Sequence, residues 1–151
     1  AVASTLGELD VRLVHNPDFD VGLSTSLAVG LASLPDGVDA VLVCLGDMPR
    51  LDASVIDSLV AAYDPVEGRT ICVPTWKGKR GNPVLFDARY FAAMSDVHGD
   101  VGARHLLGEH ADQVCDVAVP THAVLEDVDS PAELATLRAQ WSESTEPEHG
   151  T

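Results

Sequence analysis

The sequence contains no uninterrupted apolar run long enough to cross a membrane, and its first ten residues lack the pattern of a secretory signal. Basic residues are also scarce, since 9 Lys and Arg stand against 24 Asp and Glu, for a formal net charge of -15. Such a charge repels nucleic acids and anionic membranes, so neither is expected as a partner. A small phosphorylated ligand is compatible with it, because a divalent cation held by carboxylates can bridge the two.

The 3 cysteines form no C-x-x-C pair, and the 6 histidines show no H-E-x-x-H or comparable metal-binding spacing. Cys44, Cys72 and Cys115 each lie in an apolar, β-branched run, which favours reduced thiols in the core of a cytoplasmic protein. No G-x-S-x-G motif and no catalytic Cys/His set is present. These absences leave the carboxylates as the main candidates for chemistry.

Length and composition predict one globular domain over residues 1–141, followed by a disordered polar tail over residues 142–151. Apolar patterns predict strands at Val11–Val14, Ala40–Leu45, Thr70–Val73, Pro83–Phe86, Val114–Val119 and Val124–Val128. Helical spacing predicts helices at Leu23–Leu34, Ala53–Tyr63 (with Asp52 as N-cap), Ala88–Met94, Val101–Leu107 and Pro131–Trp141. This alternation predicts an α/β fold with helices on both faces of a mostly parallel, Rossmann-like sheet.

In such sheets ligands bind beyond the carboxyl ends of the strands. Asp47 follows the apolar strand Ala40–Leu45, and Asp129 ends the predicted strand Val124–Val128 on the same face as Asp127. Mg²⁺ prefers oxygen ligands and takes one or two carboxylates together with substrate phosphates. Asp47 and Asp129 are therefore candidate metal ligands, the alternative being that each only caps a turn or a helix.

Two further segments are candidate ligand sites. The first runs through Gly22, Ser24 and Ser26 into a helix, whose free N–H groups and hydroxyls suit an anion or a ribose. The second is the basic loop from Trp76 to Pro83, which could bind the phosphate of an acceptor substrate or could be a mobile surface loop. Trp76 could stack on a heteroaromatic ring or serve only in packing.

Taken in order, five motifs resemble the MobA-like nucleotidyltransferases, and most closely the molybdenum cofactor cytidylyltransferases. The motifs are Val14-His15-Asn16-Pro17 with Gly22 and Ser26, Leu45-Gly46-Asp47-Met48-Pro49, Gly81-Asn82-Pro83-Val84-Leu85-Phe86, Gly99-Asp100-Val101-Gly102-Ala103-Arg104 and Asp127-Val128-Asp129-Ser130-Pro131. Each motif is weak alone, whereas the ordered set covers nearly the whole chain apart from the tail.

The resemblance implies a nucleotide-diphospho-sugar transferase-like fold and Mg²⁺-dependent transfer of CMP from CTP to molybdopterin-bound molybdenum, with release of pyrophosphate; the guanylyl branch uses GTP. Asp47 and Asp129 are then the catalytic metal ligands. Gly22, Ser24, Ser26 and Gly46 are expected to bind the nucleotide, and Lys79, Arg80, Gly81, Asn82 and Pro83 the acceptor. The resemblance also implies a molybdoenzyme or its chaperone as a partner.

One departure concerns the N-terminus. Members of the family begin with a strand and a glycine-rich loop, L-A-A-G-x-S-x-R-M-G followed by Lys, and this segment is missing here. We therefore expect a domain that lacks its first βα unit and that, as this fragment alone, binds nucleotide poorly and turns over little. A non-catalytic cofactor-binding module is an alternative. A receiver-like or flavodoxin-like signalling domain phosphorylated on Asp47 is disfavoured, because no acidic pair follows the first strand.

Overall fold

The computed structural model describes residues 2–7 and 9–144. The α-helices in these ranges are α1 (Val2–Leu6), α2 (Leu23–Ala32), α3 (Ala53–Ala62), α4 (Phe91–Ser95), α5 (His105–Glu109) and α6 (Pro131–Ser144). The strands are β1 (Ala40–Val43), β2 (Ile71–Trp76), β3 (Lys79–Arg80), β4 (Val84–Asp87) and β5 (Val114–Ala118). Short 3₁₀ segments lie at Phe19–Val21, Ala88–Tyr90, Gly99–Arg104, Ala111–Gln113 and His122–Leu125.

The five described strands form one mixed sheet. Strand β4 lies between β1 and β2 and runs antiparallel to both, while β5 pairs with β2 in parallel. The short β3 is antiparallel to β2. Strands β1, β2 and β5 therefore point the same way, so most of the sheet is parallel in direction, with β4 and β3 as the exceptions. The predicted α/β fold is confirmed.

Alternating side chains on the strands supply two cores, one on each face of the sheet. Ile71 and Val73 on β2 pack with Phe86 on β4 against Met94 of α4 and Leu106 of α5. On the opposite face, Cys72 and Leu85 pack against Val55 and Leu59 of α3. Because successive residues of a strand point to opposite faces, one apolar run serves both cores. The prediction of helices on both faces is confirmed.

Two predicted strands are wrong. Residues 11–16 have no regular secondary structure, and Val11, Leu13 and Val14 are exposed, because they pair with no strand of the described chain. The segment predicted as Val124–Val128 instead begins within the 3₁₀ segment His122–Leu125 and continues without regular secondary structure to Asp129. Val124 is fully buried in the core on the α3 face, and Leu125 is partly buried there, so these residues pack against the sheet instead of extending it.

The predicted basic loop is a β-hairpin. Lys77 and Gly78 form its turn with φ values of 49° and 77°. Positive φ at both central residues is typical of a type I′ turn, whose twist matches that of the flanking strands. The loop interpretation was wrong because a lysine with positive φ is uncommon and gives no signal in the sequence.

The cysteines differ from the expectation of uniform burial. Cys72 is buried and Cys115 is half-buried, and the two are register partners on β2 and β5. Cys44 is exposed, because it follows the end of β1 at the edge of the sheet. Burial, and then the neighbouring Cys115, raises the pKa of Cys72 to about 11. The expectation of a buried thiol therefore fails at Cys44.

Helix α6 extends to Ser144, beyond the predicted end at Trp141. The remainder of the predicted tail, residues 145–151, lies outside the described residues. No helix in the described part of the chain is both long and apolar enough to cross a bilayer.

Candidate functional site

The first acidic residue, Asp47, lies just beyond the carboxyl end of strand β1. Gly46 and Asp47 form an exposed turn shortly after Cys44. The next residue, Met48, is buried, with only 7% of its surface exposed. A Cβ built on Gly46 meets no heavy atom within 4 Å, so the space beside this backbone is open. Asp47 therefore lies in an exposed turn between the buried Met48 and the open space beside Gly46.

A backbone contact brings the second acidic segment to this turn. The N–H of Val128 donates to the carbonyl oxygen of Asp47 at 2.9 Å. Asp129 follows directly, and both Asp127 and Asp129 are exposed. The two predicted ligands therefore lie on adjacent segments, although the second is not delivered by a strand as expected.

Helix α6 holds the chain immediately after Asp129. Ser130 Oγ accepts from the N–H of Glu133 at 3.2 Å, and Glu133 Oε2 accepts from the N–H groups of Ser130 and Asp129 at 2.9 and 3.0 Å. This capping box confirms the predicted start of the helix at Pro131. The hydrogen bonds lower the pKa of Glu133. The backbone of Asp129 is thus part of the cap, while its carboxylate makes none of these bonds.

The carboxylates repel one another at this site. Asp127 raises the pKa of Asp129 most, followed by desolvation and then by the charges of Asp47 and Glu133. A divalent cation relieves such repulsion, and hard oxygen donors are what Mg²⁺ selects. Within the described residues no group of three or more His, Cys, Asp and Glu side chains could hold a metal. A pair of carboxylates nevertheless fits Mg²⁺, which completes its coordination with water and substrate phosphates.

The predicted nucleotide segment forms the N-terminal turn of α2. Gly22 has φ 139° and ψ 171°, a conformation that favours glycine. Ser24 is buried, with 3% of its surface exposed, whereas Ser26 is exposed. Asn16, given no role by the residue patterns, organises this turn, since its Nδ2 donates to Thr25 Oγ1 and Ser26 Oγ at 2.9 Å each.

An apolar groove lies between α2 and β1. Its lining includes Leu23, Ser26 and Leu27 from the helix, and Cys44 and Leu45 from the end of the strand. Its volume is about 340 Å³. The groove therefore connects the predicted nucleotide turn with the residues that precede Gly46.

The predicted acceptor residues separate into two groups. Lys79 and Arg80 lie on exposed β3, where Arg80 pairs with Asp116 of β5 at 2.7 and 3.2 Å. This hydrogen-bonded pair raises the pKa of Arg80. The charge of Arg80 is therefore already partnered within the protein, and Lys79 does not line the cleft described below.

Gly81 and Asn82 instead contact the 3₁₀ segment His122–Leu125, and the buried Pro83 follows them. A Cβ on Gly81 would lie 2.0 Å from the carbonyl oxygen of Val124, so only glycine fits. The N–H of Asn82 donates to that same oxygen at 2.8 Å. The Asn82–Pro83 peptide bond is cis, and Pro83 is fully buried.

A cleft of about 140 Å³ joins the two halves of the site. Leu45 and Met48 beside Asp47, Arg80 and Asn82 at the end of the hairpin, and Asp127 before α6 all line it. Arg104 also lines the cleft, and its Nη1 donates to Asn82 Oδ1 at 3.4 Å. Arg104 belongs to one of the five motifs, but the spacing of the sequence gave it no role.

Glu126, which also lines this cleft, lies near a histidine and an arginine. His122 Nε2 lies 2.8 Å from Glu126 Oε1, and Arg50 Nη1 lies 3.9 Å from Oε2. The ring of His122 is 5.5 Å from that of Trp76, whose ring also lies 4.3 Å from Lys77 Nζ. Trp76 thus makes packing contacts within the protein.

Comparisons with known proteins agree with this architecture. Residues 1–114 match the family model described as the MobA-like NTP transferase domain. A comparison with curated proteins found no significant match. Among solved structures, a homolog of Mycobacterium tuberculosis Rv0371c from Mycobacterium sp. strain JC1 is 27% identical with a TM-score of 0.67, covering 79% of this chain and 58% of that one.

Rv0371c of Mycobacterium tuberculosis, solved in complex with manganese, is 26% identical with a TM-score of 0.62, covering 74% of this chain and 59% of that one. A nucleotidyl transferase from Methanothermobacter thermautotroptrophicus (Mth528) shares the fold, with 22% identity and a TM-score of 0.75 over 95% of this chain and 69% of that one. The chain thus spans less than two thirds of the length of the mycobacterial structures. Because the family model matches most of its residues, the chain belongs to the MobA-like NTP transferase family.

Proposed function

We propose that the whole protein is a nucleotidyltransferase that transfers CMP from CTP to a molybdopterin-type cofactor and releases pyrophosphate, with Mg²⁺ held by Asp47 and Asp129. The observation that carries this proposal is the meeting of two acidic segments at the carboxyl end of β1, joined by the 2.9 Å bond from Val128 to Asp47. Membership of the MobA-like NTP transferase family supports a nucleoside triphosphate as the substrate class.

A divalent cation is supported by the charge of the site and by one relative. Rv0371c of Mycobacterium tuberculosis was solved with manganese, which, like Mg²⁺, binds oxygen ligands. When bound by Asp47 and Asp129, Mg²⁺ would offset the repulsion between carboxylates and triphosphate and stabilise the charge of the departing pyrophosphate. The repulsion that raises the pKa of Asp129 is the feature of this chain that a cation would relieve.

The remaining residues bind and orient the substrates. The open space beside Gly46 admits the triphosphate close to the backbone. In the proposed nucleotide site, Gly22 shapes the turn, exposed Ser26 contacts the ribose, and buried Ser24 supports the turn from inside. Gly81, Asn82 and Pro83 form the acceptor side of the cleft.

The proposed reaction is a displacement at phosphorus. An oxygen of the acceptor phosphate forms a bond to the α-phosphorus of CTP, and the bond from that phosphorus to the pyrophosphate oxygen breaks. The acceptor phosphate is already ionised, so no strong general base is needed. The task of the site is to bring two anions together, which is an electrostatic and positional problem.

Thermal unfolding of the full-length protein with Mg²⁺ and CTP, GTP, ATP or UTP tests the proposal. We expect CTP to raise the melting temperature only with Mg²⁺, since a ligand at 100 times its Kd stabilises by about 2.7 kcal/mol. Asp47→Asn and Asp129→Asn should abolish this rise in melting temperature. Asp57→Asn removes an equal charge from the exposed face of α3, and this variant should show the same rise as the unmodified protein.

The alternatives give different results. A rise selective for GTP would assign the protein to guanylyl transfer, and selective binding without turnover would indicate a non-catalytic cofactor-binding module. The proposal is contradicted if no nucleotide stabilises the protein in a Mg²⁺-dependent manner.

A further inference from the structure

The arginines of this acidic protein are mostly partnered by carboxylates. Arg50, Arg69, Arg80 and Arg89 each lie within 4 Å of an Asp or Glu oxygen. Arg104 differs from these four, since no described carboxylate lies within ion-pair distance of it; Arg12 shares this property and donates to the carbonyl oxygen of Ser33. The hydrogen bond assigned to the Arg104 guanidinium is the 3.4 Å contact to the neutral amide oxygen of Asn82. The Arg104 guanidinium is thus held by a neutral hydrogen-bond partner, and its positive charge is not paired with a described carboxylate.

The position of Arg104 follows from a break in the chain before it. Gly102 has φ 57° and ψ -162°, which interrupts the 3₁₀ segment Gly99–Arg104. Gly102 and Ala103 line the groove beside α2, whereas Arg104 lines the cleft beside Asn82. Consecutive residues of this segment therefore line two different sites, the groove beside α2 and the cleft beside Asn82.

The other cations near the acceptor segment are less suited to a ligand phosphate. Arg80 is held by both carboxylate oxygens of Asp116, and a ligand would have to compete with that pair. Lys79 is exposed on the hairpin and does not line the cleft. Glu126 also lines the cleft; its Oε1 lies 2.8 Å from His122 Nε2, whereas its Oε2 lies 3.9 Å from Arg50 and accepts no hydrogen bond from the described residues.

From this arrangement we infer that Arg104, oriented by Asn82, binds the phosphate group of the acceptor in the cleft between the Asp47 turn and the Gly81–Pro83 segment. The guanidinium presents paired N–H donors that match a phosphate, and such charge-assisted bonds are strong. Leu45 and Met48 flank the Asp47 turn and line the same cleft, so a phosphate on Arg104 lies next to the proposed metal site. The inference rests on the proposed function for the identity of the acceptor.

Inorganic phosphate is the probe that tests the anion site without any nucleotide. In ¹H–¹⁵N spectra of the full-length protein, phosphate should shift the Nε–H signal of Arg104 and the side-chain amide of Asn82, whereas chloride at equal ionic strength should not. We expect Arg104→Gln to weaken phosphate binding by about tenfold or more, because it removes hydrogen bonds to a charged group. Arg69→Gln removes an equal charge from an arginine that pairs with Asp64 and does not line the cleft, so it is the matched control and should leave phosphate binding within about twofold.

Asn82→Asp provides a second variant that does not depend on removing the arginine. A carboxylate at this position would pair with Arg104 and occupy it, so phosphate affinity should fall as it does in Arg104→Gln. Asn82→Ala removes the orienting amide without adding a charge, so combining it with Arg104→Gln should produce little further loss of phosphate affinity. Losses from Asn82→Ala and Arg104→Gln that add independently would contradict the inference.

Steady-state kinetics then separate this inference from the proposed function. With CTP and the pterin-phosphate acceptor, Arg104→Gln should raise the KM for the acceptor about tenfold or more and leave the KM for CTP unchanged. An increase confined to the KM for CTP, or no increase, would overturn the assignment of Arg104. Absence of Mg²⁺-dependent CTP binding in the unmodified protein would reject the proposed function instead, and the phosphate titration would still decide the anion site.

Discussion

The N–H of Val128 donates to the carbonyl oxygen of Asp47 at 2.9 Å, and this bond joins the turn after β1 to the segment before α6. Residues 81 positions apart in the chain are thereby held side by side, which allows the carboxylates of Asp47 and Asp129 to influence each other. Because the bond is between backbone atoms, substitutions of either aspartate leave it possible. The charge of the site can therefore be changed without removing the contact that builds it.

The first prediction concerns the pKa of Asp129, which is raised by Asp127 first and also by Asp47. Asp127→Asn and Asp47→Asn should each lower it, the former more, in an NMR titration of the Asp129 carboxyl carbon. A raised carboxyl pKa means that the fold favours the protonated form, so stability is lost as pH rises through this pKa. Mg²⁺ should lower the pKa and restore that stability. If the pKa of Asp129 is unchanged in Asp47→Asn, the two carboxylates do not interact and this prediction is wrong.

The second prediction compares two glycines near the cleft. Gly81→Ala places a Cβ 2.0 Å from the carbonyl oxygen of Val124, so backbone must move, and we expect a loss of about 1–3 kcal/mol or more in the free energy of unfolding. Gly46→Ala meets open space and should change stability by less than about 0.5 kcal/mol.

Urea denaturation measures both variants. Gly46→Ala should nevertheless weaken Mg²⁺-dependent nucleotide binding, since the added methyl group would stand where the triphosphate approaches. Similar stability losses in the two variants would show that the Gly81 contact is not specific.

The third prediction concerns the contact between α3 and β4. Tyr63 donates to Asp87 Oδ2 at 2.7 Å, and Asp87 Oδ1 accepts from the N–H and the Nε of Arg89. Burial alone would raise the pKa of Asp87, but these hydrogen bonds outweigh it and the pKa is lowered. Tyr63→Phe should therefore cost about 1–2 kcal/mol of stability near neutral pH, measured by denaturant unfolding.

The pH dependence of that loss has a definite sign. The contribution of ionised Asp87 is present above its ordinary pKa of 3.8 and is lost as pH falls through the lowered value, so Asp87→Asn should flatten the acid limb of the stability curve. Burial, and then the bond to Asp87, raises the pKa of Tyr63 to about 12, so its contribution is lost only as pH rises through that value. A steeper acid limb in Asp87→Asn would contradict this account.

The parts of the fold that follow from local patterns were predicted correctly. The apolar run at Ala40 predicted β1 and placed Asp47 just beyond its carboxyl end. Asp52 caps α3 through a bond from the N–H of Ser54, as its position predicted. These features depend on neighbours within a few residues, which is why a single sequence reveals them.

Features that depend on distant partners could not be predicted. The Val124–Val128 run has the composition of a strand, but Val124 packs in the core and Val128 bonds to the Asp47 turn. Register across β2 and β5 brings Cys72 and Cys115 together, although nothing in their spacing indicates it. Arg104 lies two residues after the kink at Gly102 and lines the cleft, which its motif alone did not indicate.

A titration of the full-length protein with Mn²⁺, observed by paramagnetic broadening of backbone amide signals, tests the central claim most directly. Mn²⁺ selects the same oxygen donors as Mg²⁺. If Asp47 and Asp129 share one cation, the amides of both residues and of Val128 broaden first and at the same Mn²⁺ concentration, excess Mg²⁺ reverses the effect, and Asp47→Asn abolishes it at both segments. Broadening that begins elsewhere, or that persists around Asp129 in Asp47→Asn, would contradict a shared metal site.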